Sequence, residues 1–158
     1  MRIEFPAEQR SRMRNVVRRA GRSEIGGILM AEQLDPGAFR IVGFSVDPTQ
    51  GSAAHFVRSV EHHNEELTAF FDKTGHDYSR FNYLGEWHSH PNHHPVPSGE
   101  DIRSMQTLVN GERDIPFALL LVVRTSWWRL TGTATIFERQ GFPKPIGPIA
   151  NIIETKSE

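Results

Sequence analysis

The sequence predicts an α/β fold of the mixed α+β kind, in which helices flank one sheet. Apolar residues recur at helical spacing in three separate segments of the chain. Between these segments lie short apolar or alternating runs that have the length and composition of strands. Local hairpins take the place of regular strand–helix alternation, which favours a mixed α/β sandwich around one sheet.

The first part of the chain is predicted to form one helix and an antiparallel hairpin. Residues 6–20 have an apolar face at helical spacing, and Gly21 lies where a helix C-cap is expected. The apolar run 25–30 predicts a buried strand. The Asp-Pro-Gly turn at 35–37 leads into a second strand that continues through Phe44. The helical residues expected to face the core are Met13, Val16, Val17 and Ala20.

The middle of the chain is predicted to hold two helices that are separated by a strand and a loop. Residues 60–74 have the pattern of the second helix, and residues 83–90 alternate as a strand does. Residues 91–97 contain three prolines and therefore form a loop. Ser98 opens the third helix, which ends at the Asn-Gly pair 110–111.

The last part of the chain is predicted to contain two more strands, at 117–123 and 128–137. The adjacent residues Trp127 and Trp128 are expected to divide between the core and the surface along a strand. From Gly141 onward the chain is punctuated by proline and glycine, so we expect a loosely attached tail.

Length and composition restrict the classes of protein to consider. A chain of 158 residues fits one domain, and neither a repeat nor a linker divides residues 1–158. The formal net charge of −1 argues against a nucleic-acid partner, and the absence of long apolar runs argues against a membrane span. Without an apolar N-terminal leader, a cytoplasmic location is expected. Because there is no cysteine, any metal would be bound by histidine and carboxylate.

The residues that indicate chemistry lie between positions 86 and 101. Side chains two apart on a strand share a face, so His88 and His90 would project together at the end of their strand. An isolated His-x-His pair is equally well explained as two polar residues at a strand edge. The proline-rich loop changes this balance, because it turns the chain back and lets Asp101 supply a third ligand. Three protein ligands with one open position are typical of catalytic zinc.

Two further residues are candidates for the chemistry beside this metal. Ser98 and Asp101 have the spacing of a helix capping box, which is compatible with a metal site: Ser98 can begin the helix while its hydroxyl faces the metal, and Asp101 can leave the backbone to bind it. Glu24 is the candidate general base because the strand that follows it can run beside the histidine-bearing strand. Glu86 and Glu100 lie nearer in sequence, but strand parity places Glu86 further from the histidines, and Glu100 is expected to point outward.

Together these residues resemble the JAMM motif of the JAB/MPN metallopeptidase family. That motif is a glutamate on an early strand, followed by His-x-His-Pro, a short loop and Ser-x-x-Asp. It is matched in order by Glu24, by the run His-Ser-His-Pro at 88–91 and by the run Ser-Gly-Glu-Asp at 98–101. The resemblance extends over about residues 1–140.

The resemblance implies a three-layer sandwich with a mixed sheet flanked by helices, and one Zn²⁺ per chain. It implies that His88, His90 and Asp101 bind the zinc, that Glu24 is the general acid/base, and that Ser98 stabilises the oxyanion or positions water. Peptidases of the family hydrolyse the bond after the C-terminal glycine of ubiquitin or a ubiquitin-like protein, often at a lysine.

In its compactness the chain resembles bacterial JAB proteins, and among these its run Gly-Glu-Trp-His-Ser-His-Pro at 85–91 is similar to the isopeptidases of CBASS anti-phage operons. There the resemblance implies an E1/E2-like conjugating protein as a pathway partner and a conjugated nucleotidyltransferase as a substrate. Other family members are metal-free binding scaffolds that have lost the motif. This chain keeps all five residues, which argues against that alternative.

Other polar features have simpler explanations. His93 and His94, in the loop between the ligands, could line the site, but loop histidines are more often solvated. The first helix is rich in arginine, which is a feature of nucleic-acid surfaces and also of ordinary solvated helix faces. Its arginines and the one that follows it are Arg10, Arg12, Arg14, Arg18, Arg19 and Arg22.

Overall fold

A computed structural model of the chain describes residues 1–47, 60–111 and 115–148. Within these ranges the chain forms three helices and seven strands. In chain order the elements are β1 (Arg2–Glu4), α1 (Ala7–Ala20), β2 (Gly26–Asp35), β3 (Ala38–Phe44), α2 (Val60–Lys73), β4 (Phe81–Ser89), α3 (Gly99–Asn110), β5 (Phe117–Ser126), β6 (Arg129–Glu138) and β7 (Lys144–Pro148).

The seven strands form one mixed sheet in the order β1-β3-β2-β4-β5-β6-β7. The pairs β1/β3 and β4/β5 are parallel, and the other four neighbouring pairs are antiparallel. The strand that carries both histidines, β4, therefore lies between β2 and β5 near the centre of the sheet. This mixed sheet with helices confirms the fold class predicted from the sequence.

Helices cover both faces of the sheet and create two apolar clusters. On one face, Met13 and Val17 of α1 join Leu29 and Leu121. On the other, Met105 of α3 joins a separate cluster, together with Val109, Ala118, Leu120, Val122 and Phe137. Alternate residues of β5 enter the two clusters, which explains why its apolar run is continuous. The result is the expected three-layer sandwich.

The ends of the helices follow from local backbone chemistry. Gly21 has a φ of 61° and its N–H donates to the carbonyl of Arg18, which ends α1 in a conformation that favours glycine. At the start of α3, the Ser98 hydroxyl accepts the N–H of Asp101, and the Asp101 carboxylate accepts the N–H of Ser98. The capping box predicted at this position is therefore formed.

Three parts of the sheet differ from the expectation. The short strand β1 was not predicted, because three residues carry too little periodicity. Residues Lys144–Pro148, expected to be loosely attached, pair with β6 as β7; residues after 148 lie outside the described part of the chain. The prediction for the tryptophans was wrong: Trp127 and Trp128 occupy the tight turn between β5 and β6 and are 86% and 65% exposed.

Candidate active site

Hydrogen bonds between the start of β2 and the end of β4 bring Glu24 beside the histidines. The Ser89 N–H donates to the Ile25 carbonyl at 2.8 Å, and the Ile25 N–H donates to the Ser89 hydroxyl oxygen at 3.1 Å. Ser89 is fully buried, so these bonds hold the two strands together without competition from water. Glu24 and His90, the neighbours of this pair, consequently lie at the same end of the sheet.

Three side chains converge where β4 ends and α3 begins. Nε2 of His88 and Nε2 of His90 are 3.1 Å apart. Oδ2 of Asp101 lies 3.2 Å from the first of these nitrogens and 3.5 Å from the second. The two histidines are 6% and 3% exposed, so the three atoms form a triangle whose two imidazoles are buried.

The dimensions of this triangle suit a tetrahedral metal ion. Nitrogen and oxygen ligands at zinc distances of 2.0–2.1 Å are separated from each other by about 3.3–3.5 Å in a tetrahedron. The three separations measured here fall close to that range. Three ligands would leave one position open, which is the arrangement of catalytic zinc. The donor set of His88, His90 and Asp101 therefore fits the metal that the resemblance implies.

A backbone contact orients one of the imidazoles. Nδ1 of His90 lies 3.1 Å from the carbonyl oxygen of His94. A carbonyl can only accept, so Nδ1 carries a proton, while Nε2 faces Asp101 and His88; this Nε2 donates to the carboxylate when the imidazole is protonated and offers its lone pair when the imidazole is neutral. Contacts of this kind set the tautomer and angle of metal-binding histidines. The loop after β4 thus contributes to the site through its backbone.

Asp101 serves two purposes with one oxygen atom. Its Oδ2 accepts the N–H of Ser98 at 2.7 Å while facing both imidazoles. The cap and the approach to the histidines are compatible, as the sequence predicts, but Asp101 does not leave the backbone: the capping geometry itself directs this oxygen toward the histidines. Burial alone would raise the pKa of Asp101, but hydrogen bonds from His88 and His90 outweigh it and hold the pKa well below its usual range.

Glu24 lies next to the triangle and has a different environment. It is 6% exposed, and burial raises the pKa of its carboxyl group, although the nearby His90 and His88 oppose the rise. Its Oε1 is 4.0 Å from Nε2 of His93, whose ring stacks against His90 with a centroid separation of 4.1 Å. Glu24, His90 and His93 form a second group of close potential ligand atoms. A buried carboxyl with a raised pKa beside a metal-type triangle has the properties of a general base.

The other acidic candidates occupy different surroundings. Glu86 is buried and lines a cavity of about 690 Å³ that also contains Ile28, Leu67 and Leu108. Glu100, on the first turn of α3, is exposed, as the sequence predicts. Among the three glutamates considered, Glu24 is the one grouped with a histidine of the triangle.

The close fit of β2 against β4 depends on one glycine. A Cβ atom at Gly26 would lie 2.3 Å from the Trp87 carbonyl oxygen and 2.9 Å from Cβ of His88. No side chain fits at these distances, so glycine allows the two backbones to approach beside the first ligand. Gly26 is paired with His88 in the strand register.

Comparison with known families gives this arrangement a context. Residues 6–131 match a family model described as prokaryotic homologs of the JAB domain. The chain belongs to this JAB family. The match contains Glu24, both histidines, Ser98 and Asp101, and so includes every site residue that the sequence singled out.

Two curated relatives of this JAB chain are named CD-NTase/cGAS isopeptidase. One, from Enterobacter hormaechei subsp. hoffmannii, is 38% identical over 93 residues, which are 57% of this chain and 48% of the relative. The other, from Escherichia coli, is 30% identical over 110 residues, which are 67% of this chain and 65% of the relative. The chain thus spans about half of one relative and less than two thirds of the other.

Solved structures share the fold of the JAB chain. A protein of Desulfitobacterium hafniense superposes with a TM-score of 0.68 at 22% identity, covering 98% of this chain and 94% of that one. A Salinibacter ruber protein superposes with a TM-score of 0.50 at 17% identity, covering 90% and 92%. At these identities the likeness concerns the fold alone. No helix within the described residues is long and apolar enough to cross a membrane.

Sequence reasoning missed several contributors to the JAB site. Ser89, the middle residue of His-x-His, was not singled out, although a hydroxyl on a buried strand is a sign of a backbone contact. Gly26 was read only as part of an apolar strand. The orienting carbonyl of His94 has no sequence signature, because every residue carries one.

Proposed function

We propose that this chain is a zinc-dependent isopeptidase of the JAMM type. The observation that supports this best is the triangle of His88, His90 and Asp101, with the buried carboxyl of Glu24 beside it. The triangle has the ligand types and spacing of a tetrahedral zinc site that keeps one position open. Membership of the JAB family and relatives named isopeptidases support the same reaction.

Zinc at this site would supply Lewis acidity toward a carbonyl oxygen and toward water. Glu24 then transfers a proton from the attacking water to the leaving nitrogen. Its carboxylate takes one proton from the water that attacks the scissile carbonyl carbon. The same carboxyl group gives that proton to the leaving nitrogen as the C–N bond breaks, so that a carboxylic acid and an amine are released. Burial favours this exchange because it keeps the pKa of Glu24 above that of an exposed glutamate.

Ser98 has a hydroxyl group that can donate as well as accept. Its oxygen accepts the Asp101 N–H at 3.1 Å, which leaves the hydroxyl hydrogen for another partner. We assign that hydrogen to the oxyanion that forms during attack, or to the attacking water. Its backbone N–H simultaneously holds Asp101 in place. Ser98 therefore connects the metal ligand to the reacting atoms.

The substrate we propose is a protein joined through the C-terminal glycine of a ubiquitin-like protein, or through a similar Gly-terminated tail. The names of the two relatives refer to a CD-NTase, and a conjugated nucleotidyltransferase is accordingly the substrate we favour. An E1/E2-like conjugating protein would then act in the same pathway, within bacterial anti-phage defence of the CBASS type. We expect such a pathway to operate in the cytoplasm.

The alternative function is a catalytically inactive scaffold that docks a partner. Retention of Glu24, His88, His90 and Asp101 in two groups that share His90 argues against it. A scaffold does not need a buried carboxyl whose pKa is raised, because burying an ionisable group lowers the stability of the protein and does not strengthen the binding of a partner.

The test compares Glu24→Gln with the unchanged protein. We expect one zinc per chain in both proteins by elemental analysis. Cleavage of a Gly-terminated fusion should fall by a factor of about 10² to 10⁴ in the variant, because the general base is lost. The matched control is Glu100→Gln, which alters an exposed glutamate next to Asp101 and should keep near-normal activity.

Two results would contradict the proposal. Full activity of Glu24→Gln would remove Glu24 from the mechanism. A folded protein that binds no zinc and cleaves none of a panel of Gly-terminated fusions would favour the scaffold instead.

A further inference from the structure

The turn between β5 and β6 displays two tryptophans at the surface. Trp127 and Trp128 are 86% and 65% exposed, and their ring centroids are 6.4 Å apart. A neighbouring pair of exposed indoles is costly to solubility, and large exposed aromatic groups are typical of contact surfaces. The third tryptophan of the chain, Trp87, is fully buried.

Hydrogen bonds from α1 hold this turn in one conformation. Arg14 Nη1 donates to the Trp128 carbonyl at 3.0 Å, and Arg18 Nη2 donates to the Trp127 carbonyl at 3.1 Å. Trp127 has a φ of 58°, an unusual value for a residue with a large side chain. The arginines therefore fix the backbone beneath the indoles. An aromatic pair that is ordered before binding loses less entropy when a partner arrives.

The surroundings of the pair are strongly basic. Neither of the segments 10–22 and 124–137 contains an aspartate or glutamate, although the whole chain is slightly acidic. The exposed side chains of Arg18, Arg19 and Arg129 lie on these two segments. Positive charge around exposed indoles complements a partner that combines acidic groups with apolar ones.

The tryptophan turn lies at the same end of the sheet as the metal-type triangle. The N–H of His90 donates to the Val123 carbonyl at 2.8 Å, so β5 passes directly beside the second histidine. From Val123 to Trp127 the strand advances about 13 Å. A protein interface of standard size buries about 800 Å² on each side and measures about 30 Å across. Along the strand direction, the two features are therefore separated by less than the width of such an interface.

We propose that Trp127, Trp128 and the arginines around them form a docking surface for an acidic face of the protein substrate. This inference rests on the proposed function, because it assigns the surface to the protein that is cleaved. The indoles contact apolar side chains of that face, and the arginines pair with its carboxylates. The proposed partner is a protein, because the surface adjoins a site suited to peptide bonds.

Binding can be tested with Glu24→Gln and a synthetic peptide in which glutamates flank leucines. The control peptide has glutamine in place of every glutamate. Tryptophan fluorescence reports binding, since two of the three tryptophans are exposed and should shift to shorter wavelength when covered. We expect the acidic peptide to bind more tightly than its control, and its affinity to fall with salt.

The variants change each part of the surface. Replacing Trp127 and Trp128 together by alanine should weaken peptide binding about tenfold or more, measured by calorimetry because the fluorophores are gone. Replacing Arg19 and Arg129 by glutamine should weaken it and reduce its salt dependence. Phe142→Ala is the matched control: Phe142 is 89% exposed but follows β6, at the opposite end of the sheet, and should have no effect.

Three outcomes would overturn the inference: equal binding of both peptides, binding unchanged in the tryptophan variant, or binding of oligothymidylate in place of the acidic peptide. Measurements of KM and kcat distinguish a failure of the docking surface from a failure of the proposed function. The tryptophan variant should raise KM for an acidic Gly-terminated fusion protein while leaving kcat and the hydrolysis of short peptides unchanged. If the unchanged protein cleaves nothing but binds the acidic peptide as described, the proposed function fails and the docking surface stands.

Discussion

Oδ2 of Asp101 accepts a 2.7 Å hydrogen bond from the backbone N–H of Ser98. The same oxygen faces the two imidazoles, so the start of α3 is built around the proposed metal ligand. A ligand oriented by backbone geometry keeps its position in the absence of metal, and less entropy is lost when metal binds. The capping box and the metal-type triangle are therefore one structure.

This shared role predicts that two substitutions of Asp101 will lower the zinc content of the protein equally but lower its stability by different amounts. Asp101→Ala and Asp101→Asn should both lose most zinc, because an amide oxygen is a weaker zinc ligand than a carboxylate. In the presence of chelator, Asp101→Ala should be less stable by about 1 kcal/mol through loss of the capping contact, and Asp101→Asn should lose less. Urea unfolding of the chelated proteins measures this difference. Equal stability of the two variants would contradict the capping role.

Substitutions of Ser98 should separate capping from catalysis. Ser98→Ala removes the acceptor of the Asp101 N–H and should cost about 1 kcal/mol of stability. It also removes the hydroxyl hydrogen, and loss of one such donor lowers kcat about 10²-fold to 10³-fold. Zinc should remain bound, because the backbone N–H of residue 98 still holds Asp101. Ser98→Thr is the control and should keep both stability and turnover; a fully active Ser98→Ala would exclude the catalytic assignment.

A third prediction concerns the buried hydroxyl between the two histidines. Ser89→Ala leaves the Ile25 N–H without its acceptor, which should cost about 1–3 kcal/mol and loosen the segment just before β2, where Glu24 lies. We expect kcat to fall while zinc content is unchanged. Ser45→Ala is a matched control, because the Ser45 hydroxyl accepts the Ile28 N–H further along the same strand. If the two variants lose stability equally and turnover equally, Ser89 has no special part in positioning Glu24.

The fourth prediction tests the close approach of two strands at the first ligand. Gly26→Ala places a methyl group against the Trp87 carbonyl and should displace β4, lowering both the midpoint of unfolding and the affinity for zinc. Gly43→Ala is the control, since its Cβ would meet only the terminal methyl of Met30 at 3.4 Å. Thermal unfolding with and without chelator measures the two effects. Normal zinc affinity in a folded Gly26→Ala protein would show that β4 tolerates the displacement.

Much of this fold is predictable because its main elements are periodic. The first helix was expected at 6–20 and is formed by Ala7–Ala20, and the third was expected from Ser98 and is formed by Gly99–Asn110. Strand β2 extends to Asp35, beyond the predicted range 25–30. The prediction stopped short because the second half of the strand is partly exposed and lacks the continuous apolar pattern. It remains paired with β3 through two register shifts, which sequence periodicity does not reveal.

The candidate site was predictable to the extent that its residues are local. His88, His90 and Asp101 are joined by one short loop, so spacing alone indicated a common site. Glu24 and His88 are 64 positions apart along the chain, and only the pairing of β2 with β4 makes Glu24 a neighbour of the histidines. The conformation of the turn with Trp127 was not predictable for a similar reason, since the arginines that bind its carbonyl groups lie more than 100 positions away in the sequence.

The pairing of β2 with β4 also has a consequence for the order in which the protein becomes functional during folding. Loop closure between His90 and Asp101 involves few residues and is fast, whereas contacts across large sequence separations form later. On the proposed function, a chain that had formed β4 and α3 but not the pairing of β2 with β4 would bring the proposed metal ligands together without the proposed base. The proposed hydrolysis would then require the completed sheet.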